Sequence, residues 1–213
     1  MKVEIWSDIM CPFCYIGKRN FEKALSDFSD SGSIDVEWHS FQLDPAIPKN
    51  QEMKQNVYQY LADTKGISYE KSAKMHDTLI QSAKNAGLEY NFDKAIVANS
   101  FDAHKMIQLA KLHGLGDQAE ERLFHAYFTE GKDFGNHEVL VGLGMDIGLQ
   151  ENEIRAALDS EDFSKKVESD IKEAEALGIR SVPFFVFDRK YAISGAQPPE
   201  HFKQVLETSM KEL

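Results

Sequence analysis

The pattern of apolar and polar positions at the start of the chain predicts a β-α-β unit. Residues 3–6 form a short apolar run of the kind found in buried strands. From Pro12 to Phe28, apolar residues recur at helical spacing with charged residues between them. Residues 34–43 then alternate strictly between apolar and polar, which predicts a second strand. A connection of this type places the two strands parallel.

The middle of the chain, from about residue 51 to residue 178, has helical periodicity and almost no strand pattern. Glycines separate the periodic stretches and act as helix stops. Asp93 and Ser160 are candidate N-caps. The predicted helices cover residues 51–64, 69–86, 93–113, 117–129, 137–148, 151–158 and 161–177.

The end of the chain returns to strand patterns. Residues 184–187 form a continuous apolar run, a polar turn follows, and residues 191–194 complete a hairpin. A last helix begins near Pro198 and Pro199. Neither end of the chain has enough strands for a sheet of its own, so the two ends together predict an α/β domain with a four-stranded mixed sheet. The predicted domains are therefore 1–46 with 179–213, and an inserted helical domain, 47–178.

Composition and charge narrow the choice of partners. The chain has 213 residues and a net charge of −11, and such a surface repels nucleic acid and anionic membranes. No apolar run reaches the length of a membrane-spanning helix, and the first residues do not form a signal-peptide pattern. We therefore expect a cytoplasmic protein, a setting in which disulfides are usually transient and catalytic.

The two cysteines of the chain, Cys11 and Cys14, carry the strongest chemical signal. A disulfide between residues three apart closes almost no loop, so it adds little stability. Cys11 falls where the first strand meets the first helix, and Pro12 suits the first helical position. The helix start favours a thiolate at Cys11 through unpaired N–H groups and the helix dipole. Cys14 lies one turn further on the same face, so we expect Cys11 to form mixed disulfides that Cys14 resolves.

A zinc site is the main alternative explanation for two cysteines at this spacing. Such a site needs two more ligands, but no other cysteine exists and the seven histidines form no close pair at ligand spacing. The sequence therefore predicts no metal and no bound cofactor. Among the other side chains, Trp6 and Trp38 are expected in the core, Phe13 is expected to face outward, and Lys18 and Arg19 are expected on a solvated helix face.

Four segments of the chain resemble the DsbA family of thioredoxin-fold oxidoreductases, and its cytoplasmic FrnE-like branch in particular. The first is the active-site segment Ser7-Asp8-Ile9-Met10-Cys11-Pro12-Phe13-Cys14-Tyr15-Ile16-Gly17. The others are residues 99–104, 178–186 and 194–198, in the same order along the chain. The resemblance implies a thioredoxin fold with a helical insertion and a thiol–disulfide oxidoreductase or isomerase acting on cysteine-containing proteins or small thiols. Glutathione or a thioredoxin-type reductant is the implied redox partner.

The resemblance also implies a cis peptide bond between Val182 and Pro183 beside the cysteines. A cis bond there would leave the backbone of Val182 available to pair with an extended substrate. The candidate site therefore has Cys11 and Cys14 as catalytic residues. Its candidate substrate-binding residues are Pro12, Phe13, Val182 and Pro183.

Two departures from the family leave the direction of catalysis open. The founding members have a histidine where this chain has Phe13, so we expect a less oxidising disulfide here. Some FrnE-like proteins have a second cysteine pair, which this chain lacks.

Two other functions remain open from the sequence. Glutathione transferases of the kappa class and 2-hydroxychromene-2-carboxylate isomerases share this layout, but they have serine at the position of Cys11. A non-catalytic module that binds extended peptides is the second alternative, and it predicts that replacing Cys11 by serine leaves function intact.

Overall fold

The computed structural model describes residues 1–28, 31–49 and 55–212, so the first residues of the predicted helix 51–64 lie outside the described part. The elements follow in the order β1 (Lys2–Ser7), α1 (Pro12–Ser26), β2 (Asp35–Ser40), α2 (Val57–Lys65), α3 (Tyr69–Asn85), α4 (Phe101–Leu112), α5 (Gly116–His125), α6 (His137–Asp146), α7 (Glu151–Asp159), α8 (Glu161–Ala176), β3 (Phe184–Phe187), β4 (Tyr191–Ser194) and α9 (Pro199–Met210). A 3₁₀ turn, Ser31–Ser33, precedes β2, and a π-helical turn, Ala126–Glu130, continues α5.

The strands form a four-stranded mixed sheet in the order β2-β1-β3-β4. β1 runs parallel to β2, with Lys2 opposite Asp35 and Ser7 opposite Ser40. β3 is antiparallel to both β1 and β4. The two ends of the chain therefore build one sheet, which confirms the predicted α/β class and the mixed topology.

Each face of the sheet receives alternate residues of each strand. The core on one face contains Val3 and Ile5 of β1, Trp38 of β2, and aromatic rings from α1 and α9. Trp6 points to the other face, where its Nε1 donates to the carbonyl oxygen of Asp170 on α8 at 3.2 Å. Both tryptophans are buried, which confirms their expected place in the core.

The chain divides into two compact units, Met1–Leu43 with Val167–Leu213, and Asp44–Lys166. The predicted boundary at 46/47 lies close to the observed one, but the predicted boundary at 178/179 falls after α8 instead of within it. The reason is the contact between β1 and α8 described above, because it ties the second half of α8 to the sheet. Residue spacing along a helix does not reveal which neighbour each half packs against.

The second unit, Asp44–Lys166, contains α2 to α7 and the start of α8. The helix predicted at 93–113 begins only at Phe101, after Ser100. A turn at residues 92–94 and a β-bridge between Ile96 and Asn56 precede it. Asp93 accepts a hydrogen bond from the hydroxyl of Tyr58 at 3.0 Å and caps no helix.

The helix predicted at 51–64 begins only at Val57, after the N-cap Asn56. The remaining helix limits agree with the predictions within a few residues. Ser160 acts as a cap for α8, because its Oγ accepts from the backbone N–H of Asp162 at 3.2 Å. Within the described ranges, none of the helices is both long and apolar enough to cross a membrane.

Candidate active site

Cys11 lies at the junction of β1 and α1, as the sequence predicts. It is the N-cap residue of α1, with extended backbone (φ −85°, ψ 109°), and Pro12 opens the helix. The backbone N–H of Cys11 donates to the carbonyl oxygen of Asp8 at 2.9 Å, and that of Cys14 donates to the carbonyl oxygen of Cys11 at 3.0 Å. The thiol of Cys11 therefore stands at the positive end of the helix dipole.

The side chain of Asp8 holds this turn in place. One carboxylate oxygen accepts from the backbone N–H of Met10 at 3.2 Å, and the other accepts from that of Leu43 at 2.6 Å. Asp8 is buried, and its two bonds tie the loop that contains Cys11 to the segment that follows β2. Asp8 was not among the predicted site residues, although an acid directly after a buried strand is a signal for such a turn.

Cys14 is the more protected of the two thiols. Its exposure is 0%, against 3% for Cys11, and both cysteines are free. Burial raises the pKa of the Cys14 thiol well above its ordinary value, and a hydrogen bond with the side chain of Cys11 raises it further. The backbone of Asp8 and the side chain of Ser7 lower this pKa but do not reverse the shift. Cys14 is therefore held as a neutral thiol beneath Cys11.

The loop before β3 lies against the cysteines. The Val182–Pro183 peptide bond is cis, and Sγ of Cys11 donates to the carbonyl oxygen of Val182 at 3.4 Å. The carbonyl oxygen of Pro183 accepts from the backbone N–H of Gly195 at 2.8 Å, which anchors the loop to the end of β4. The structure thus brings Val182, Pro183 and the two cysteines together.

Gly17 of α1 makes this close approach possible. A Cβ at this position would lie 2.9 Å from Cγ of Pro183, 3.4 Å from Cζ of Phe185 and 3.6 Å from Cα of Ala196. A methyl group there would force the proline loop away from α1. Gly17 was not among the predicted site residues, since a glycine inside a helix shows its packing role only once its neighbour is known.

Phe13 faces outward, as expected, with 48% of its surface exposed. Pro12 is partly exposed beside it. Leu43 is also exposed, at 45%, and Asp8 ties its backbone to the cysteine loop. Leu43 was not among the predicted site residues.

Lys18 corrects one expectation, because it is buried and does not lie on a solvated face. Its Nζ binds Oε1 of Glu22 and lies 5.9 Å from the centre of the Trp38 ring. The aliphatic stem of a lysine can pack against apolar residues while its ammonium reaches a carboxylate. Arg19, which also binds Glu22, at 2.5 Å, is only partly exposed.

Two groups of side chains in the described part of the chain have the spacing of a metal site, and neither group contains a cysteine. These groups are Glu4, Glu37 and His39, and His39, Asp170 and Glu173. Both contain His39, one of the seven histidines that form no close pair along the sequence.

The sheet order, the cysteines at the start of α1 and the loop that contacts them define a thioredoxin-type fold with a dithiol at its first helix. The chain belongs to the family described as DSBA-like thioredoxin domain, whose model matches residues 2–207. This confirms the family and the fold that the sequence resemblance implies.

Three known proteins are similar to the chain over nearly its whole length. A probable DsbA oxidoreductase from Streptomyces coelicolor has a TM-score of 0.94 and 38% identity, with 100% of this chain and 91% of that chain covered. The uncharacterized protein YwbO of Bacillus subtilis is 27% identical, with 98% and 97% covered. The cytosolic disulfide reductase DsbM of Pseudomonas aeruginosa, with a TM-score of 0.71, 20% identity and full coverage of both chains, is a likeness of fold alone.

Proposed function

We propose that the protein is a cytoplasmic thiol–disulfide oxidoreductase of the FrnE-like branch, with Cys11 as the nucleophile and Cys14 as the resolving thiol. One observation carries the proposal: Cys11 stands at the start of α1 beside Val182, while Cys14 lies fully buried and neutral beneath it. An incoming sulfur can approach only the thiol that keeps some exposed surface, which is Cys11.

The exchange cycle requires no cofactor. The Cys11 thiolate attacks one sulfur of a substrate disulfide, forms a mixed disulfide, and releases the other substrate sulfur as a thiolate that takes up a proton. Cys14 then loses its proton and attacks Sγ of Cys11, which releases the second substrate thiol and leaves a Cys11–Cys14 disulfide. Two electrons have passed to the substrate. The reverse sequence oxidises a substrate dithiol, and the redox potential decides the direction.

The substrate in this proposal is an extended cysteine-containing peptide or a small thiol. The backbone of Val182 would pair with such a chain, and the Val182–Pro183 loop would hold it across Cys11. Pro12 and the exposed ring of Phe13 would contact its apolar side chains. A structure of DsbM with glutathione supports glutathione as a small-thiol partner, with a thioredoxin-type reductant as the other candidate.

Trapping the mixed disulfide tests the assigned roles. Oxidised glutathione is added to the reduced Cys14→Ser variant, and the intact mass is measured after acid quenching. The proposal predicts that this variant gains one glutathione, bound at Cys11, because no resolving thiol remains. The matched Cys11→Ser variant should gain none on the same time scale, since Cys14 is buried and its pKa is raised.

Equal glutathione uptake by the two variants would contradict the assignment of nucleophile and resolving thiol. Saturable binding of reduced glutathione to the Cys11→Ser/Cys14→Ser variant, with no mixed disulfide in either single variant, would instead support the transferase or isomerase alternative.

A further inference from the structure

A second cluster of polar side chains lies on the sheet face opposite the apolar core. Glu4 of β1 stands directly across from Glu37 of β2, and Trp6 stands across from His39. Like charges on directly opposed strand positions are destabilising. Glu4 and His39 are buried and Glu37 is only partly exposed, so water cannot fully screen these charges.

The imidazole of His39 is fixed in one orientation. Its Nδ1 lies 3.0 Å from Oδ1 of Asp170, and the other oxygen of Asp170 accepts from the backbone N–H of Ser40 at 2.8 Å. The ring stacks on Trp6 with centroids 4.5 Å apart and an angle of 14°. In a neutral imidazole, a carboxylate at Nδ1 favours the ring proton on Nδ1, which leaves the lone pair on Nε2.

Nε2 of His39 points into the pair of glutamates. Across the described residues this atom has no hydrogen-bond partner, although the side chain is only 7% exposed. The facing carboxylate oxygens are Oε1 of Glu4 at 3.5 Å and Oε1 of Glu37 at 4.0 Å. An imidazole nitrogen and carboxylate oxygens are all donors to a metal ion, so these three atoms together could bind one cation.

Acidic side chains gather around this point, and cations of the described chain contact them. Four carboxylates contribute, those of Glu4, Glu37, Asp170 and Glu173, against two cations, Lys2 and Arg189. Lys2 binds Oε2 of Glu37 at 2.6 Å, and Arg189 binds Glu4 and, at 2.8 Å, Glu173. Lys2 also lies 3.6 Å from Oε1 of Glu4, and Arg189 donates to both oxygens of Glu4, so a metal ion would share these oxygens with the two side chains.

We infer that Glu4, Glu37 and His39 bind a divalent transition-metal ion of the Zn²⁺ type, with Asp170 as the positioning residue for His39. The ligand atoms of the three residues lie within 4.8 Å of one another. One imidazole and two carboxylates are donors that Zn²⁺ accepts. A carboxylate on the far nitrogen of a ligand histidine is the usual outer-shell partner of such a site. Mg²⁺ prefers six oxygen ligands and does not suit this set.

This inference differs from the sequence-based prediction of no metal, which stays untested. That prediction rested on histidine and cysteine pairs at short spacing, whereas these ligands come from two parallel strands that are adjacent only in the folded sheet.

A zinc titration of the full-length Cys11→Ser/Cys14→Ser variant tests the inference. Without the two thiols, the cysteine pair cannot bind Zn²⁺ and confuse the result. The protein is freed of metal with a chelator and titrated with Zn²⁺ by calorimetry, while tryptophan emission reports on Trp6 beside His39. We expect one Zn²⁺ per chain, a change in emission on binding, and no binding of Mg²⁺ under the same conditions.

Four further substitutions in this background assign the site. Glu37→Gln, which removes a ligand charge at a partly exposed position, should weaken Zn²⁺ binding at least about tenfold, and Asp170→Asn should weaken it about 10–100-fold. Lys2→Gln should strengthen binding, because it removes a competing cation. His113→Gln is the matched control, since its Nε2 lies 3.6 Å from Glu153 without further ligands, and it should change nothing. Circular dichroism confirms that each variant is folded.

The inference is overturned if the double-cysteine variant binds no Zn²⁺, or if folded Glu37→Gln and Asp170→Asn variants bind it as tightly as their parent. Neither result would affect the proposed exchange cycle, which does not involve this face of the sheet.

Discussion

The thiol of Cys11 donates a hydrogen bond to the carbonyl oxygen of Val182, 171 positions away in the chain, with 3.4 Å between the two atoms. This contact joins the first helix of the fold to the loop that precedes β3. It places the reactive sulfur next to the backbone that an extended substrate would pair with. The positions of Cys11 and Val182 therefore depend on how closely α1 and the proline loop approach each other.

Replacing Gly17 by alanine should disturb this approach. The added methyl group would lie 2.9 Å from Cγ of Pro183, and overpacking of this kind costs about 1–3 kcal/mol. We expect a lower free energy of unfolding, measured in urea, and slower formation of the Cys11 mixed disulfide in the Cys14→Ser background.

Gly142→Ala is the matched control for Gly17→Ala. Gly142 also lies inside a helix, α6, but a Cβ there would meet nothing within 4 Å. This substitution should raise the free energy of unfolding by about 0.5–1 kcal/mol, since alanine favours a helix interior over glycine. Equal effects of the two substitutions would show that Pro183 does not limit the space at Gly17.

Asp8→Asn should loosen the loop that carries Cys11. The carboxylate accepts from two backbone N–H groups, and an amide would turn an NH₂ group toward one of them. A buried donor left without an acceptor costs about 1–3 kcal/mol, so the free energy of unfolding in urea should fall by that amount.

Asp44→Asn provides the comparison for Asp8→Asn. Asp44 accepts from the backbone N–H of Ala46 at 3.0 Å and from the hydroxyl of Tyr60 at 2.6 Å. Asp44 is only partly buried, and a hydroxyl can rotate to accept from an amide, so its substitution should cost less. If Asp8→Asn proved as stable as the wild type, the role of Asp8 in holding the loop would be wrong.

The raised pKa of Cys14 predicts a pH dependence of stability in the reduced protein. In the unfolded chain this thiol ionises near its ordinary pKa of about 8.5, whereas in the folded chain it remains protonated to higher pH. The folded state then holds the extra proton, so the free energy of unfolding should fall as pH rises above about 8.5. The limiting slope from one such group is about 1.4 kcal/mol per pH unit.

Urea unfolding between pH 7 and pH 10 under reducing conditions measures this slope. The Cys14→Ala variant lacks the group, so the difference between wild type and variant isolates its contribution from those of other titrating residues. Parallel pH profiles for the two proteins would contradict the burial argument for Cys14.

Local patterns were sufficient to predict most of the fold. Alternation in residues 34–43 and the apolar run at 184–187 located β2 and β3, and the turn between 187 and 191 located the hairpin. The cysteine spacing and Pro12 placed the dithiol at the start of α1. These features depend only on residues that are close together along the chain, so they can be predicted from a single sequence.

The features of the structure that could not be predicted from the sequence depend on contacts between residues far apart in the chain. Residues 93–100 have helical spacing, but Ile96 pairs with Asn56 instead. Lys18 is charged and yet buried, because Glu22 and Trp38 surround its ammonium. The ligand-like group around His39 exists only because β1 and β2 are adjacent, and no motif spacing could have indicated it.

The redox equilibrium of Cys11 and Cys14 tests the central claim most directly. The protein is equilibrated in glutathione buffers of graded ratio, quenched with acid, alkylated, and measured by intact mass. The account predicts a reversible loss of two hydrogens with a single midpoint, which should be absent from Cys11→Ser and Cys14→Ser variants. The midpoint then gives the direction of catalysis. If no internal disulfide formed at any ratio, the oxidoreductase function proposed for this dithiol would be wrong.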